Sequence, residues 1–278
     1  MKKDIPTKRS RERLKGCIKA FFANLTENKI VFSVYLLLTC ITLAVAVMTA
    51  LNNRFESTFV AVLSLILLLL PTMVEEVLSL KLPSAFETVL LLFVFCANIL
   101  GEIGEWYTRF AFWDDLLHGI SGFLFAAVGI SLVAFFCRQE AKQIVFSPLL
   151  LSIIALCFSV TVGVVWEFFE FSCDALLHTD MQKDVIIESI HSAYLNPNGQ
   201  APQTVSHIAT TLITAGNGAQ IAMTGYLDIG LRDTMQDLFI DFSGALVFCI
   251  LFCFSKRYSV ARALAEQFIP QIMPTSNQ

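Results

Sequence analysis

Long apolar runs alternate with short polar breaks along the chain. Six of them reach the ~20 residues that a helix needs to cross a bilayer: about Ile30 to Leu51, Ser57 to Val74, Pro83 to Gly101, Leu116 to Cys137, Pro148 to Phe169 and Leu238 to Ser255. None has the period-two alternation of a membrane barrel strand, so the pattern predicts an all-α polytopic bundle of six transmembrane helices. Between the last two runs the chain leaves the apolar pattern for roughly 65 residues, too many for a simple turn. Within that stretch Met181 to Tyr194 carries Val185, Ile186 and Ile190 at the spacing of an amphipathic helix, and Asn196-Pro197-Asn198-Gly199 breaks it. Ile208 to Thr214 and Gln220 to Tyr226 flank Gly216-Asn217-Gly218, the pattern of a β-hairpin with an Asn-Gly turn. The predicted organisation is a basic N-terminal segment at 1–29, helices one to five at 30–173, an extracytoplasmic helix and hairpin insertion at 174–232, helix six at 233–256 and a tail at 257–278.

Composition agrees with a membrane protein: 56% of the 278 residues are hydrophobic and 15% charged. The distribution of charge sets an orientation. With the N-terminus cytoplasmic, the inner side collects 15 of the 19 Lys and Arg residues, and the outer side keeps Arg54, Arg109, Lys183 and Arg232. Of the 23 acids, eight then lie inside and 15 outside, so the outer face is strongly acidic although the net charge is only −4. This predicts a bacterial inner-membrane protein with both termini cytoplasmic. Membrane lipids and a lipid-linked or envelope substrate are the expected partners; nucleic acid is not. Oligomeric state is not legible.

The basic segment repeats Leu14, Ile18, Phe21, Phe22 and Leu25 at helical spacing. That suits an amphipathic helix on an anionic leaflet, and a solvated tail that only fixes topology suits it equally. Ala44-Val45-Ala46 resembles a cleavage site, but the uninterrupted run around it reads as an uncleaved anchor. Six of the eight cysteines fall within spans, Cys17 is cytoplasmic and only Cys173 nears the outer side, so no disulfide framework is implied. Cys249 and Cys253 share a helix face and are expected to pack rather than bind zinc.

Candidate chemistry lies in the acids. Glu167 and Glu170 share one helix face with Asp174 a turn further on, and they follow an uncharged run from Pro148 to Val165. Asp233, Asp237 and Asp241 recur every fourth residue on another helix, with Asp241 about 6 Å deeper than Asp237 at ~1.5 Å per residue. Counting span lengths from the inner ends brings Glu102, His118, Glu167 and Asp237 to one outer level. An ionised carboxylate in lipid must be paired, protonated or bound to a cation. Asp114, Asp115, His118, Glu167, Glu170, Asp237 and Asp241 are therefore the expected ligands of one or two divalent cations. Carboxylates with one imidazole suit Mg²⁺, Mn²⁺, Zn²⁺ or iron. Asp174 and Asp233 are expected around that set or at its entrance. His178, His191 and His207 read as surface residues. Glu167 or Glu170 is the candidate general base of a metal-dependent reaction. Two other classes are compatible: a proton- or cation-coupled transporter using Asp241, and a non-catalytic scaffold whose insertion binds a partner.

Several of these pieces form a recognisable set. Leu100-Gly101-Glu102 with Tyr107, Trp113-Asp114-Asp115-Leu116-Leu117-His118, Trp166-Glu167-Phe168-Phe169-Glu170, and Asp233-Thr234-Met235-Gln236-Asp237-Leu238 followed by Asp241 and Gly244 resemble the YjdF-like group of bacterial multispanning membrane proteins. A fainter likeness to VanZ-like proteins lies in the Asp-x-x-His opening of span four and the spaced acids of span six. The resemblance covers residues 100–250 and implies a polytopic inner-membrane protein; it implies no particular activity. The segment from Ala175 to Tyr226 and the basic N-terminus depart from the group.

Overall fold

The computed structural model describes residues 28–78, 80–139, 146–199 and 201–272. The proposed amphipathic stretch before residue 28, and Cys17 with it, lie outside the described residues. The chain divides into two compact units, Met1–Thr161 with Ile240–Gln278, and Val162–Phe239. Among the described residues six helices are long and apolar enough to cross a membrane: Lys29–Leu51, Phe55–Glu75, Ser84–Ile103, Trp113–Cys137, Pro148–Leu177 and Leu231–Phe254. The fold is the expected polytopic helical one with small strand hairpins, and the protein is a multi-pass membrane protein.

In the first unit α1 (Lys29–Leu51) opens on Asn28, whose side chain accepts from the amides of Ile30 and Val31. The second span is interrupted: α2 (Phe55–Leu67) stops and α3 (Leu70–Leu78) restarts. Pro71 explains the break, because it has no N–H to continue the ladder and is tolerated only in a first turn. Strand β1 (Leu80–Lys81) leads to α4 (Ser84–Phe95), whose continuation Cys96–Ile103 is π-helical. There Gly104 N bonds Ile99 O, and Gly101 lies under the Tyr107 ring, where a Cβ would collide. The short α5 (Trp106–Arg109) precedes α6 (Trp113–Gln139). Trp106 packs edge-on against Trp113 with ring centres 4.5 Å apart, beside exposed Phe110 and Phe112.

The long helices α7 (Pro148–Leu177) and α8 (Leu231–Phe254) each contribute one part to each unit. Within the first unit, α8 crosses α6 at backbone contact. A Cβ on Gly122 would fall onto Asp241 O, and one on Gly244 onto Gly119 O. Ser159 Oγ donates to Gly122 O at 2.8 Å, and a Cβ on Gly129 would come within 3.0 Å of Ala155 Cα. Small residues let these backbones approach, as is usual for membrane helices. Around the crossings lies a core of Leu124, Ala126, Ala127, Ile130, Ala155, Ala245 and Phe248; a second core joins Val31, Leu38, Ala61, Leu91 and Val94. Cys249 and Cys253 pack on α7 through Ser152.

Residues after α8 form more than a tail. Helix α9 (Ser259–Glu266) is followed by Phe268 and Ile269, which pack on the first core, and by β8 (Gln271–Ile272), antiparallel to β1. Phe268 is edge-on to Phe123, ring centres 5.0 Å apart.

The second unit corrects one expectation. Met181 to Tyr194 is not an amphipathic helix; it contains β2 (Val185–Ile187) and β3 (Ile190–Ser192). Three consecutive β-branched side chains at Val185, Ile186 and Ile187 favour extended backbone, and tertiary pairing outweighs the helical spacing. β2 pairs with β7 (Tyr226–Asp228), and β3 with β4 (Gln203–Val205). The expected hairpin is present as β5 (Thr210–Thr214) and β6 (Gln220–Thr224). Its turn is closed by Ala215 N to Ala219 O at 2.8 Å, and Gly218 at φ 83° occupies a left-handed position that glycine adopts without strain.

Candidate functional site

The apolar run that becomes α7 does not end where charge begins. No glycine or proline follows Val165 before Leu177, so nothing breaks the helix there and it carries Glu167 and Glu170 on one face. Likewise α8 starts at Leu231, before its apolar part, and carries Asp233, Asp237 and Asp241. The acids belong to the helices rather than to their ends, which is why both helices overrun the spans expected from hydropathy.

In the second unit Glu167, Glu170 and Asp237 come together. All three are buried, at 3%, 8% and 2% exposure. Each offers a carboxylate oxygen, and these oxygens lie within 4.8 Å of one another. Trp166 Nε1 donates to Glu170 Oε1 at 2.9 Å, fixing that carboxylate. Around Mg²⁺ at ~2.1 Å, ligand oxygens lie about 3.0 to 4.2 Å apart, a spacing that the triad's limit of 4.8 Å admits. Like charges at 4.8 Å repel by roughly 3.5 kcal/mol per pair at an effective dielectric of ~20. Three ionised carboxylates at this spacing favour a cation or shared protons.

Asp174 and Asp233 serve the loop after α7. Asp174 accepts from Thr179 Oγ1, Met181 N and Gln182 N at 2.7, 2.7 and 2.8 Å, and Asp233 accepts from Lys183 N at 2.7 Å. Gln182 Nε2 also donates to Thr234 Oγ1. Arg232 is exposed, and its amide donates to Asp228. Asp184 nearby is held above the usual carboxylate range, by partial burial first and then by Asp180, Asp174 and Asp228. His178, His191 and His207 are exposed, and His191 Nδ1 contacts Thr204 Oγ1 across β3 and β4.

In the first unit a different arrangement surrounds Asp241. It is 3% exposed and its oxygens face donors: Ser121 Oγ donates to Oδ1 at 2.6 Å, and His118 Nδ1 lies 3.3 Å from Oδ2. His118, also buried, has Nε2 3.6 Å from Asp114 Oδ1 one turn back on α6. Imidazole and hydroxyl thus satisfy the buried carboxylate. Asp115 is half-buried in the first turn of the same helix, and Glu102 is exposed on the π-helical end of the third span. Two participants were not anticipated. Ser121 lies three residues after His118 and Trp166 four before Glu170, and helical spacing from a candidate acid or histidine is the signal that finds both.

No curated protein and no solved structure matches the chain. The family described as predicted membrane protein (DUF2238) matches residues 34–257, which takes in all six spans from within the first to the end of the last, and the chain belongs to that family.

Proposed function

We propose that this protein is a membrane-embedded, metal-dependent enzyme in which Glu167, Glu170 and Asp237 hold a divalent cation. The observation that carries the reading is the burial of three carboxylates with oxygens within 4.8 Å of one another. The oxygen donors of Glu167, Glu170 and Asp237 suit hard cations, so Mg²⁺ or Mn²⁺ is preferred over the zinc and iron that the sequence also allows. When bound, such a cation supplies Lewis acidity and counter-charge for a phosphate. Glu170, oriented by Trp166, positions the site, and the general base is drawn from Glu167 and Glu170. The substrate class is a lipid-linked or other envelope precursor bearing phosphate, since acids alone would repel it and a cation would attract it. The excess of Lys and Arg on one set of loops supports an inner-membrane location with cytoplasmic termini, in line with the YjdF-like resemblance.

Elemental analysis of the purified protein tests the reading. Wild type should retain stoichiometric Mg²⁺ or Mn²⁺ after desalting, and Glu167→Gln and Asp237→Asn should lose it while remaining folded. A folded wild type that binds neither metal on titration ends the proposal.

A second reading, a proton-coupled transporter, is favoured by Asp241, a carboxylate buried within a spanning helix beside His118 and Ser121. Its signature is uptake into proteoliposomes that depends on a pH gradient and is abolished by Asp241→Asn.

A further inference from the structure

The crossing of α6 and α8 contains three glycines, and they are not equivalent. Gly122 and Gly244 have no room for a side chain, because a Cβ on either would meet backbone. Gly119 does: the nearest atom to its Cβ would be Ile240 Cγ2 at 3.5 Å, an ordinary contact. Glycine inside a helix costs about 0.5–1 kcal/mol relative to alanine, so packing gives no reason for it at 119. What Gly119 does border is a cavity of about 330 Å³, walled by Val89, Gly119, Phe123, Gly244, Val247 and Phe268. A side chain at 119 would start from that wall.

The walls are aliphatic or aromatic, and none carries a charged or hydrogen-bonding side chain. Ordered water needs two to four polar partners, which these walls do not offer. The volume is that of a small-ligand site. All the walls except Phe268 lie on spanning helices, and Val247, 60% exposed, forms an open rim through which an apolar occupant can enter sideways. Phe268, packed edge-on against Phe123, closes another side. In a bilayer the medium in contact with such a rim is lipid hydrocarbon.

We infer that this cavity is a binding groove for a phospholipid acyl chain, and that Gly119 is glycine to keep it open. The groove belongs wholly to the first unit and needs no metal, so it stands or falls separately from the triad of Glu167, Glu170 and Asp237.

The test reconstitutes the full chain in vesicles of phosphatidylethanolamine and phosphatidylglycerol doped with a phospholipid bearing a diazirine in its acyl chain, followed by photolysis and peptide mapping. Label should concentrate on residues 119–123 and 244–247 and on Phe268, well above its level on Val47 and Phe59, which are exposed on other helices. Gly119→Leu and Val247→Phe should cut groove labelling at least about tenfold, equivalent to ~1.4 kcal/mol of binding, while Val47 and Phe59 keep theirs. Folding of both variants is checked by gel filtration and thermal unfolding; should Gly119→Leu fail to fold, Val247→Phe at the open rim and the wild-type map still decide. Even labelling of all exposed apolar residues in wild type, undiminished groove labelling in a folded variant, or capture of a second copy of the chain at these residues overturns the inference.

Discussion

Helix α8 carries Asp237 and Asp241 one turn apart, one in each compact unit. Asp241, in the first unit, is met by a hydroxyl and an imidazole. Asp237, in the second, is gathered with two further carboxylates whose oxygens lie within 4.8 Å. Both are almost fully buried. The difference is between an acid neutralised by the fold's own donors and acids whose grouping suits a ligand. Residue type, burial and helix are shared, so partners on facing helices are what mark one carboxylate as structural and the other as a candidate ligand.

The largest expected effect comes from removing the donor-met acid. Asp241→Ala removes the carboxylate that Ser121 Oγ and His118 Nδ1 face, and breaking such a buried cluster costs about 3–5 kcal/mol. Thermal unfolding in detergent should show a large drop, with Asp241→Asn, which still accepts from Ser121, losing much less. An unchanged Asp241→Ala would mean that its neighbours do not stabilise the first unit, and the contrast with Asp237 would collapse.

Next come the glycines that bring Asp241 to α6. Gly244→Ala forces a methyl onto Gly119 O and should cost about 2–3 kcal/mol. Gly119→Ala should be neutral or stabilising by up to ~1 kcal/mol, since its Cβ is accommodated. Equal loss in both would show that the whole crossing is tight and that Gly119 has a packing role.

The acid cluster responds in the opposite sense to the donor-met acid. Saturating Mg²⁺ or Mn²⁺ at about 100 times Kd should stabilise wild type by ~2.7 kcal/mol, lost on chelation. Glu167→Gln should be insensitive to metal and, without it, more stable than wild type, because one of three like charges is gone. Were chelation to leave wild-type unfolding unmoved while Glu167→Gln destabilised it, the triad would be structural too.

Which of this was legible in sequence follows from the range of the interactions. The spans are set by composition over twenty residues, and the β5–β6 hairpin by a local Gly-Asn-Gly turn, so both could be read from the chain. The π-helical end of the third span has no local signal of its own, and the strand at Val185–Ile187 depends on a distant partner, Tyr226–Asp228 paired with β2. The acids were legible as a set, since charge in apolar helices stands out, but their sorting was not. Asp174 and Asp233, expected around the ligand set or at its entrance, hold the loop from Thr179 to Lys183, a role that requires the loop's path to be known. Phe268 and the β1–β8 pair were hidden for the same reason: nothing in a segment expected to be a tail says what it returns to.

That acid-rich loop gives the smallest effect and the one with a definite pH sense. Asp184 is exposed, outside the spanning helices, and its pKa is raised by partial burial and by Asp180, Asp174 and Asp228, with Lys183 opposing. A carboxyl with a folded pKa above its unfolded one binds protons more tightly in the folded state. Its contribution to stability is therefore full below the unfolded aspartate range and is lost as pH rises through the folded value. Asp184→Asn removes that loss, so at neutral pH the variant should be more stable than wild type by a few tenths of a kcal/mol, after allowing for solvent screening at an exposed site. The gain should vanish toward pH 3 and shrink in high salt. A gain that persisted at low pH would arise from something other than charge, and a loss at neutral pH would mean that Asp184 is held by Lys183 more strongly than it is opposed by its three acidic neighbours.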